Sequence, residues 1–99
     1  MKNILITGNA GYIGGHLVNL LRKKKKYQLH GLDYNGCPVP LHRHYNYNIV
    51  SLPRIDIEFD TVIHLAALVN VGESVRDPLR YYQTNLVGTE NILRYCHYL

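Results

Sequence analysis

The 99-residue chain has no tryptophan, and its two cysteines, Cys37 and Cys96, lie far apart with no paired spacing. That pattern offers no disulfide framework, and free thiols in a cytoplasmic protein are the expectation. Long apolar runs are also missing. After Lys2 only Ile4-Leu5-Ile6 precede the first glycines, so no secretory core is read there, and no segment approaches a membrane span. No lysine occurs after Lys26. Lys2 and the run Arg22-Lys-Lys-Lys-Lys26 supply six positive charges, and the rest of the chain holds five arginines against seven acids. The net charge of +4 is therefore local. A cationic run at the end of a helix is favoured by the helix dipole and by water, and this one lacks the interleaved aromatics of a base-stacking platform. Neither a nucleic-acid nor a membrane partner is expected. Nine tyrosines are an unusual number but carry no mechanism by themselves.

What is present begins at the amino terminus. Lys2-Asn-Ile-Leu-Ile-Thr7 is a short apolar run with β-branched content and reads as a buried parallel strand. It enters Gly8-Asn-Ala-Gly11-Tyr-Ile-Gly14, and Ile13, Leu17, Leu20 and Leu21 then recur at helical spacing to about Lys26. Gln28-Leu-His-Gly-Leu32 is a second strand, ending at Asp33, nineteen positions beyond the third glycine. Gly36, Pro38 and Pro40 make residues 34–44 a loop, residues 45–50 read as a weak third strand, and residues 51–59 are a short crossover. Asp60-Thr-Val-Ile-His-Leu-Ala-Ala67 is the second clear buried strand. Asp77-Pro78 supplies an N-cap and a first helical residue, opening a helix with Leu79, Tyr82, Leu86, Leu93 and Cys96 along one face. This order predicts an α/β fold: the first half of a Rossmann-type doubly wound parallel sheet, about four strands with flanking helices. Arg94-Tyr-Cys-His-Tyr-Leu99 carries neither a glycine cap nor a proline stop. Residues 1–99 are therefore expected to be a partial domain of a longer parent. The strand at residues 61–66 would lie at an unpaired edge, which favours poor solubility or self-association.

The glycine turn has a strand before it, a helix after it and an acid at the end of the next strand, the setting of a turn that binds a dinucleotide phosphate. Gly8 permits the sharp exit from the strand. Gly11 lets the backbone approach the pyrophosphate, where amide groups and the helix dipole favour negative charge. Gly14 lets the helix lie close to the sheet. Asp33 would accept hydrogen bonds from the adenosine ribose and repel a 2′-phosphate, which selects NAD over NADP. The plainer alternatives are a tight turn and a solvated loop aspartate. His42-Arg-His44 has no third ligand at suitable spacing, so no metal site is expected. His64 reads as a packed or hydrogen-bonded core residue. Ser74 with Glu73 has no partner histidine at a recognisable spacing, which removes a hydrolase reading.

Thr7-Gly-Asn-Ala-Gly-Tyr-Ile-Gly14 and Asp60-Thr-Val-Ile-His-Leu-Ala-Ala67 resemble the extended short-chain dehydrogenase/reductase superfamily, which includes the NAD-dependent epimerases and dehydratases. Val71-Gly-Glu-Ser-Val75, Pro78-Leu-Arg-Tyr-Tyr82 and Asn85-Leu-Val-Gly-Thr89 are similar to the UDP-glucose 4-epimerases within it, and the likeness runs over residues 1–33 and 60–93. The resemblance implies NAD as cofactor. Gly8, Gly11 and Gly14 with Tyr12 and Ile13 would line the pyrophosphate, and Asp33 would hold the ribose. The backbone of Leu65, Ala66 and Ala67 would lie along the cofactor, and Asn85 would be a buried helix asparagine near it. In the complete enzymes implied, a nucleotide sugar gives hydride from C4 of its hexose to NAD and takes it back on the opposite face. A dehydratase, decarboxylase or reductase of the same superfamily shares this half, and a non-catalytic NAD-binding protein is the alternative of another class. Relatives implied by the likeness dimerise through helices, so a homodimer, or association through the sheet edge, is also expected.

Several positions depart from the family pattern. Asn9 replaces a commoner glycine, although asparagine tolerates left-handed backbone better than most residues. Val69 stands where close epimerases carry a cofactor-contacting lysine, Tyr34 replaces a polar residue, and Asn48-Ile49 replaces an Asp-Ile pair that faces the adenine. The largest departure is an absence. The family's proton transfer uses a tyrosine with a lysine four residues later, which lowers the tyrosine pKa. The fourth residues after the tyrosines here are His16, Gly31, Pro38, Ile49, Ser51, Asn85, Leu86 and Leu99, and Tyr98 has none. No catalytic residue is assigned, and the 99-residue chain alone is expected to be inactive.

Overall fold

In the computed structural model, which describes residues 1–36, 41–55 and 58–98, strand β1 (Lys2–Thr7) lies at the centre of a parallel sheet. Leu5 packs on one face and Ile4 and Ile6 on the other, all buried, so the strand is apolar without alternation. β2 (Tyr27–Leu32) pairs with it from Lys2↔Tyr27 to Thr7↔Leu32, and β4 (Thr61–His64) from Ile4↔Thr61 to Thr7↔His64. β3 (Arg43–Tyr45) adds outside β2, giving the order β3-β2-β1-β4, that of the first half of a doubly wound sheet. Among the described residues the outer edge of β4 has no partner strand, as the sequence pattern predicts.

Helix α1 (Tyr12–Lys24) covers one face through Leu17, Val18 and Leu21, which pack against Ile4, Ile6 and Leu29. Ile13 and Leu20, which share the predicted apolar pattern, point to solvent. The other face is closed by Leu5, Leu32, Tyr45, Ile49, Ile55 and Ile92. Its cover is α4 (Gly88–Tyr98), through Ile92 and Tyr95; α3 (Pro78–Tyr82) and a wide π turn (Gln83–Val87) lead into it end to end. Asp77 caps α3 by accepting from the Arg80 amide at 3.4 Å, with Pro78 at the first position, as predicted.

The predicted apolar face of this helix is not the core face. Leu79, Tyr82, Leu86 and Leu93 are more than half exposed, and Cys96 is also exposed. The helix packs instead through Gly88, Asn91, Ile92 and Tyr95. A side chain at Gly88 would meet the Ile49 side chain at 2.5 Å, so any other residue there would require Ile49 to shift. Asn91 donates to the carbonyls of Ile49 and Val50 at 2.9 and 3.0 Å. Counting apolar residues misses a face built from a glycine and an amide.

Two strands differ from their predicted bounds. The third lies at residues 43–45 rather than 45–50, because Asn48 accepts from the Val50 amide at 3.0 Å and starts a 3₁₀ turn (Ile49–Ser51). The fourth ends at His64 rather than Ala67: the Leu65 amide is shared between the Thr7 carbonyl and hydroxyl, both at 3.1 Å, and the Ala66 amide turns to the hydroxyl. It is half-buried rather than fully buried. Helix α2 (Val71–Arg76) is a further element that the apolar pattern does not predict; Asn70 caps it by accepting from the Glu73 amide at 2.9 Å, a spacing visible in the sequence. Gly36 falls in the described loop, whereas Pro38, Pro40 and Cys37 lie outside the described residues.

The basic run ends α1 as an exposed tract, and Lys25 closes the helix at φ 52°, the left-handed conformation that favours glycine. Lys25→Gly is expected to stabilise the fold by about 0.5–1 kcal/mol, the left-handed penalty less the added entropy of the unfolded glycine. A raised thermal midpoint checks this, and a lowered one contradicts it.

Candidate functional site

The C-terminal ends of β1, β2 and β4 open onto a cleft, where ligands of open α/β sheets bind. β1 leaves the sheet at Gly8, whose φ of +75° excludes most side chains. A Cβ there would also lie 2.8 Å from the Ala66 nitrogen, so the turn is pressed against the chain leaving β4. The Gly8 amide donates to the Leu32 carbonyl at 2.9 Å and the Gly11 amide to the Gly8 carbonyl at 3.0 Å, which closes the turn. A Cβ on Gly14 would overlap the Gly8 carbonyl oxygen. The third glycine therefore brings the helix against the turn itself.

Gly11 is the N-cap of α1 and provides no side-chain cap, and the first turn contains no acid. The positive end of the helix dipole thus meets the cleft with its amides unneutralised by side chains. Asp33 follows β2 and is buried. Its carboxylate accepts from the Ala10 amide at 3.1 Å and the Asn35 amide at 2.9 Å, so the loop holds it in place. Asn9 is fully enclosed in the turn and donates to His44 Nδ1 at 3.2 Å, while His44 Nε2 meets the Asn35 carbonyl at 3.2 Å. Gly31 makes the room, since a Cβ there would run into the Asn9 amide.

Of the residues singled out from sequence, Gly8, Gly11, Asp33, Leu65, Ala66 and Ala67 line this one cleft. Tyr12 and Ile13 stand exposed at the start of α1, and Gly14 is buried behind the turn. Asn85 is on the surface, not buried as the resemblance implied. It donates to the Leu68 carbonyl at 2.8 Å and accepts from the Leu68 amide at 2.7 Å, clasping the loop after β4. Tyr34, Asn48 and Ile49, noted only as departures, also line the cleft, as does Tyr47. Arg80 and Thr84 were missed, although their i, i+4 spacing after a capped helix start puts them on one face. Val69 points to solvent.

The rim at residues 65–66 is held by a directed chain of hydrogen bonds. Thr7 is fully buried, and its hydroxyl accepts from the Leu65 and Ala66 amides at 3.1 and 3.2 Å. Its own hydrogen is then left for His64 Nδ1 at 2.6 Å. The His64 proton therefore sits on Nε2, which donates to the Thr89 hydroxyl at 2.9 Å, and Thr89 donates to the Asn85 carbonyl at 2.6 Å.

The family model for NAD-dependent epimerases and dehydratases matches residues 4–99. The chain belongs to this family. It is 40% identical over 101 residues to a UDP-glucose 4-epimerase of Halalkalibacterium halodurans, covering 92% of this chain and 30% of that protein. It is 37% identical over 111 residues to UDP-glucose 4-epimerase 2 of Arabidopsis thaliana, covering 93% and 32%. The structure of MoeE5 in complex with UDP-glucose and NAD superposes with a TM-score of 0.87 at 32% identity, covering 96% of this chain and 32% of that one. The chain thus spans about a third of the length of the epimerases it matches. Among its described residues no helix is long and apolar enough to cross a membrane, and no three side chains form a metal-ligand group.

Two histidines of this family member titrate below the ordinary 6.5. Burial lowers His64. His30 is lowered by burial and then by the neighbouring His42 and Arg43. His30 Nε2 meets Asn3 Oδ1 at 3.0 Å, and its buried Nδ1 has no hydrogen-bond partner, so a proton there would find no acceptor. Both rings are thus held neutral in the fold, and the unfolded chain takes up protons first as pH falls. Stability is full above about pH 6.5 and declines as pH drops through that value toward the lowered folded values. Thermal midpoints measured from neutral to mildly acidic pH are expected to fall, and His64→Gln is expected to flatten part of the decline. A midpoint that holds or rises on acidification contradicts this.

Proposed function

We propose that residues 1–99 are the NAD-binding part of a sugar-nucleotide epimerase of the UDP-glucose 4-epimerase type. The observation that carries this reading is the meeting of an uncapped helix N-terminus and a buried, loop-held carboxylate in one cleft. The two fit successive parts of one ligand. The α1 terminus suits a diphosphate, and Asp33, with oxygens already oriented by two amides, suits the paired hydroxyls of a ribose. Gly8 and Gly11 keep side chains out of the path between them, and the backbone at residues 65–67 forms the wall toward β4.

NAD would supply the acceptor and donor of hydride. The chain's own residues bind and orient it, and Asp33 opposes a 2′-phosphate. The nucleotide-sugar substrate is read from the relatives, which are UDP-glucose 4-epimerases. With no tyrosine followed four residues on by lysine, the 99 residues hold no group for the family's proton transfer, and we read them as binding without turnover. A cytoplasmic setting belongs to the same reading, as does association with a second copy through the unpaired edge of β4.

Gly11 is the residue on which to test this. Its backbone is extended, at φ −79°, and an added Cβ meets only the Gly8 carbonyl oxygen at 3.3 Å. Gly11→Val is therefore expected to leave the thermal midpoint nearly unchanged while weakening NAD by at least about a hundredfold, ~2.7 kcal/mol. Calorimetric titration reads both the loss and the wild-type affinity, and retained binding in the variant would sink the assignment. In the same titrations NAD is expected to bind better than NADP, with the gap narrowed in Asp33→Asn. Equal affinities in the unmodified chain would place the carboxylate away from the ribose.

A further inference from the structure

We propose that Arg80 is a ligand-binding residue of the cleft, donating to the phosphate–ribose segment of the dinucleotide on the β4 side, beyond the reach of Asp33. The inference rests on the NAD reading above and extends it to the half of the ligand for which that reading assigns no side chain.

Arg80 and Asp33 are the only charged side chains among the described residues lining the cleft. The sheet order β3-β2-β1-β4 puts Asp33, after β2, on one side of the glycine turn. The chain leaving β4 and the helix carrying Arg80 are on the other. A ligand with a ribose on Asp33 and a phosphate on the α1 terminus continues toward Arg80. No other cation is among the described residues that line the cleft. The basic run lies at the far end of α1, a helix of 13 residues. That is about 20 Å away, beyond a Debye length of roughly 8–10 Å.

Arg80 is also held in a state that a phosphate can capture. Asp77 caps its amide, which fixes the base of the side chain at the first turn of α3, and Thr84 lines the cleft one turn later on the same face. Among the described residues only Nη1 of the guanidinium nitrogens is engaged, by Glu73 at 2.5 Å. The pair is open to water, with side chains 49% and 36% exposed, so it adds little to stability and is readily exchanged. A phosphate offers the same fork-shaped donor several acceptor oxygens and a larger charge.

The test measures NAD and AMP affinities by calorimetry on the 99-residue chain and three variants. AMP carries the adenosine half alone. Arg80→Ala is expected to weaken NAD about tenfold and leave AMP unchanged. Arg80→Lys is expected to recover part of the loss, and Glu73→Gln, which releases the guanidinium, to bind NAD as well as or better than the wild type. Unchanged NAD affinity in Arg80→Ala overturns the proposal and leaves the NAD reading standing. An equal loss of AMP binding, or a Glu73→Gln loss as large as that of Arg80→Ala, assigns the effect to the fold and also overturns it. A wild-type chain that binds neither ligand removes the NAD reading and this inference together, whereas AMP binding without NAD binding removes the placement of the distal half.

Discussion

Thr7 ends β1 with a hydroxyl that has no access to solvent, and it accepts two amides from the chain leaving β4 while giving its own hydrogen to His64. Without that acceptor, the part-buried Ala66 amide would lose its partner, at about 1–3 kcal/mol for a buried group, whereas the Leu65 amide would keep its bond to the Thr7 carbonyl at 3.1 Å. With it, the backbone turns out of the sheet one residue after β4 and becomes the wall of the cleft. Gly8, the residue after Thr7, is pressed against the same two residues, Leu65 and Ala66. Asn85 then holds the next stretch through both polar groups of Leu68. The shape of the site is thus set by side-chain oxygens acting on backbone.

The opposite wall is built by a compensated substitution. Asparagine at position 9 puts an amide inside the turn, where a glycine would leave space. That amide is housed by the missing side chain of Gly31 on β2 and tied to His44 on β3. His44 in turn meets the Asn35 carbonyl, and the Asn35 amide holds the Asp33 carboxylate. The glycine turn, the third strand and the acidic residue are therefore one connected polar unit, and a change in any of them reaches the carboxylate through at most three hydrogen bonds.

Much of this was legible in the sequence. The strand–turn–helix at residues 2–24, the second strand ending at Asp33, the cap at Asp77 and the edge position of β4 all follow from local pattern, and the structure has each of them. The glycines and Asp33 were legible because turn chemistry is a local property, whereas residues 65–67 joined them only through the family resemblance, their local pattern having read as strand. The outward face of the long helix was misread for a physical reason. Its apolar residues are regularly spaced, but packing is decided by Gly88 and Asn91, whose value depends on Ile49 some forty residues earlier. Arg80 escaped for the same reason, since a helical arginine looks like any solvated charge until the fold shows which cleft it borders. Asn85 was expected to be buried and is instead exposed, outside the lining of the cleft.

The central place of β1 also determines when the site comes into being. Its two neighbours pair with it across 25 residues, at Lys2 and Tyr27, and across 57 residues, at Ile4 and Thr61. Loop closure makes the second pairing less favourable by roughly 0.7 kcal/mol, too little to impose an order by itself. Either way, the cleft needs Asp33 from one closure and residues 65–67 from the other, so no half-formed sheet presents it. A molecule that bridges the two sides therefore recognises only the finished fold. Its binding free energy is shared by mass action with every strand pairing, including the exposed outermost one. The ligand acts as a clasp across the sheet, and occupancy becomes a measure of how completely the chain has folded.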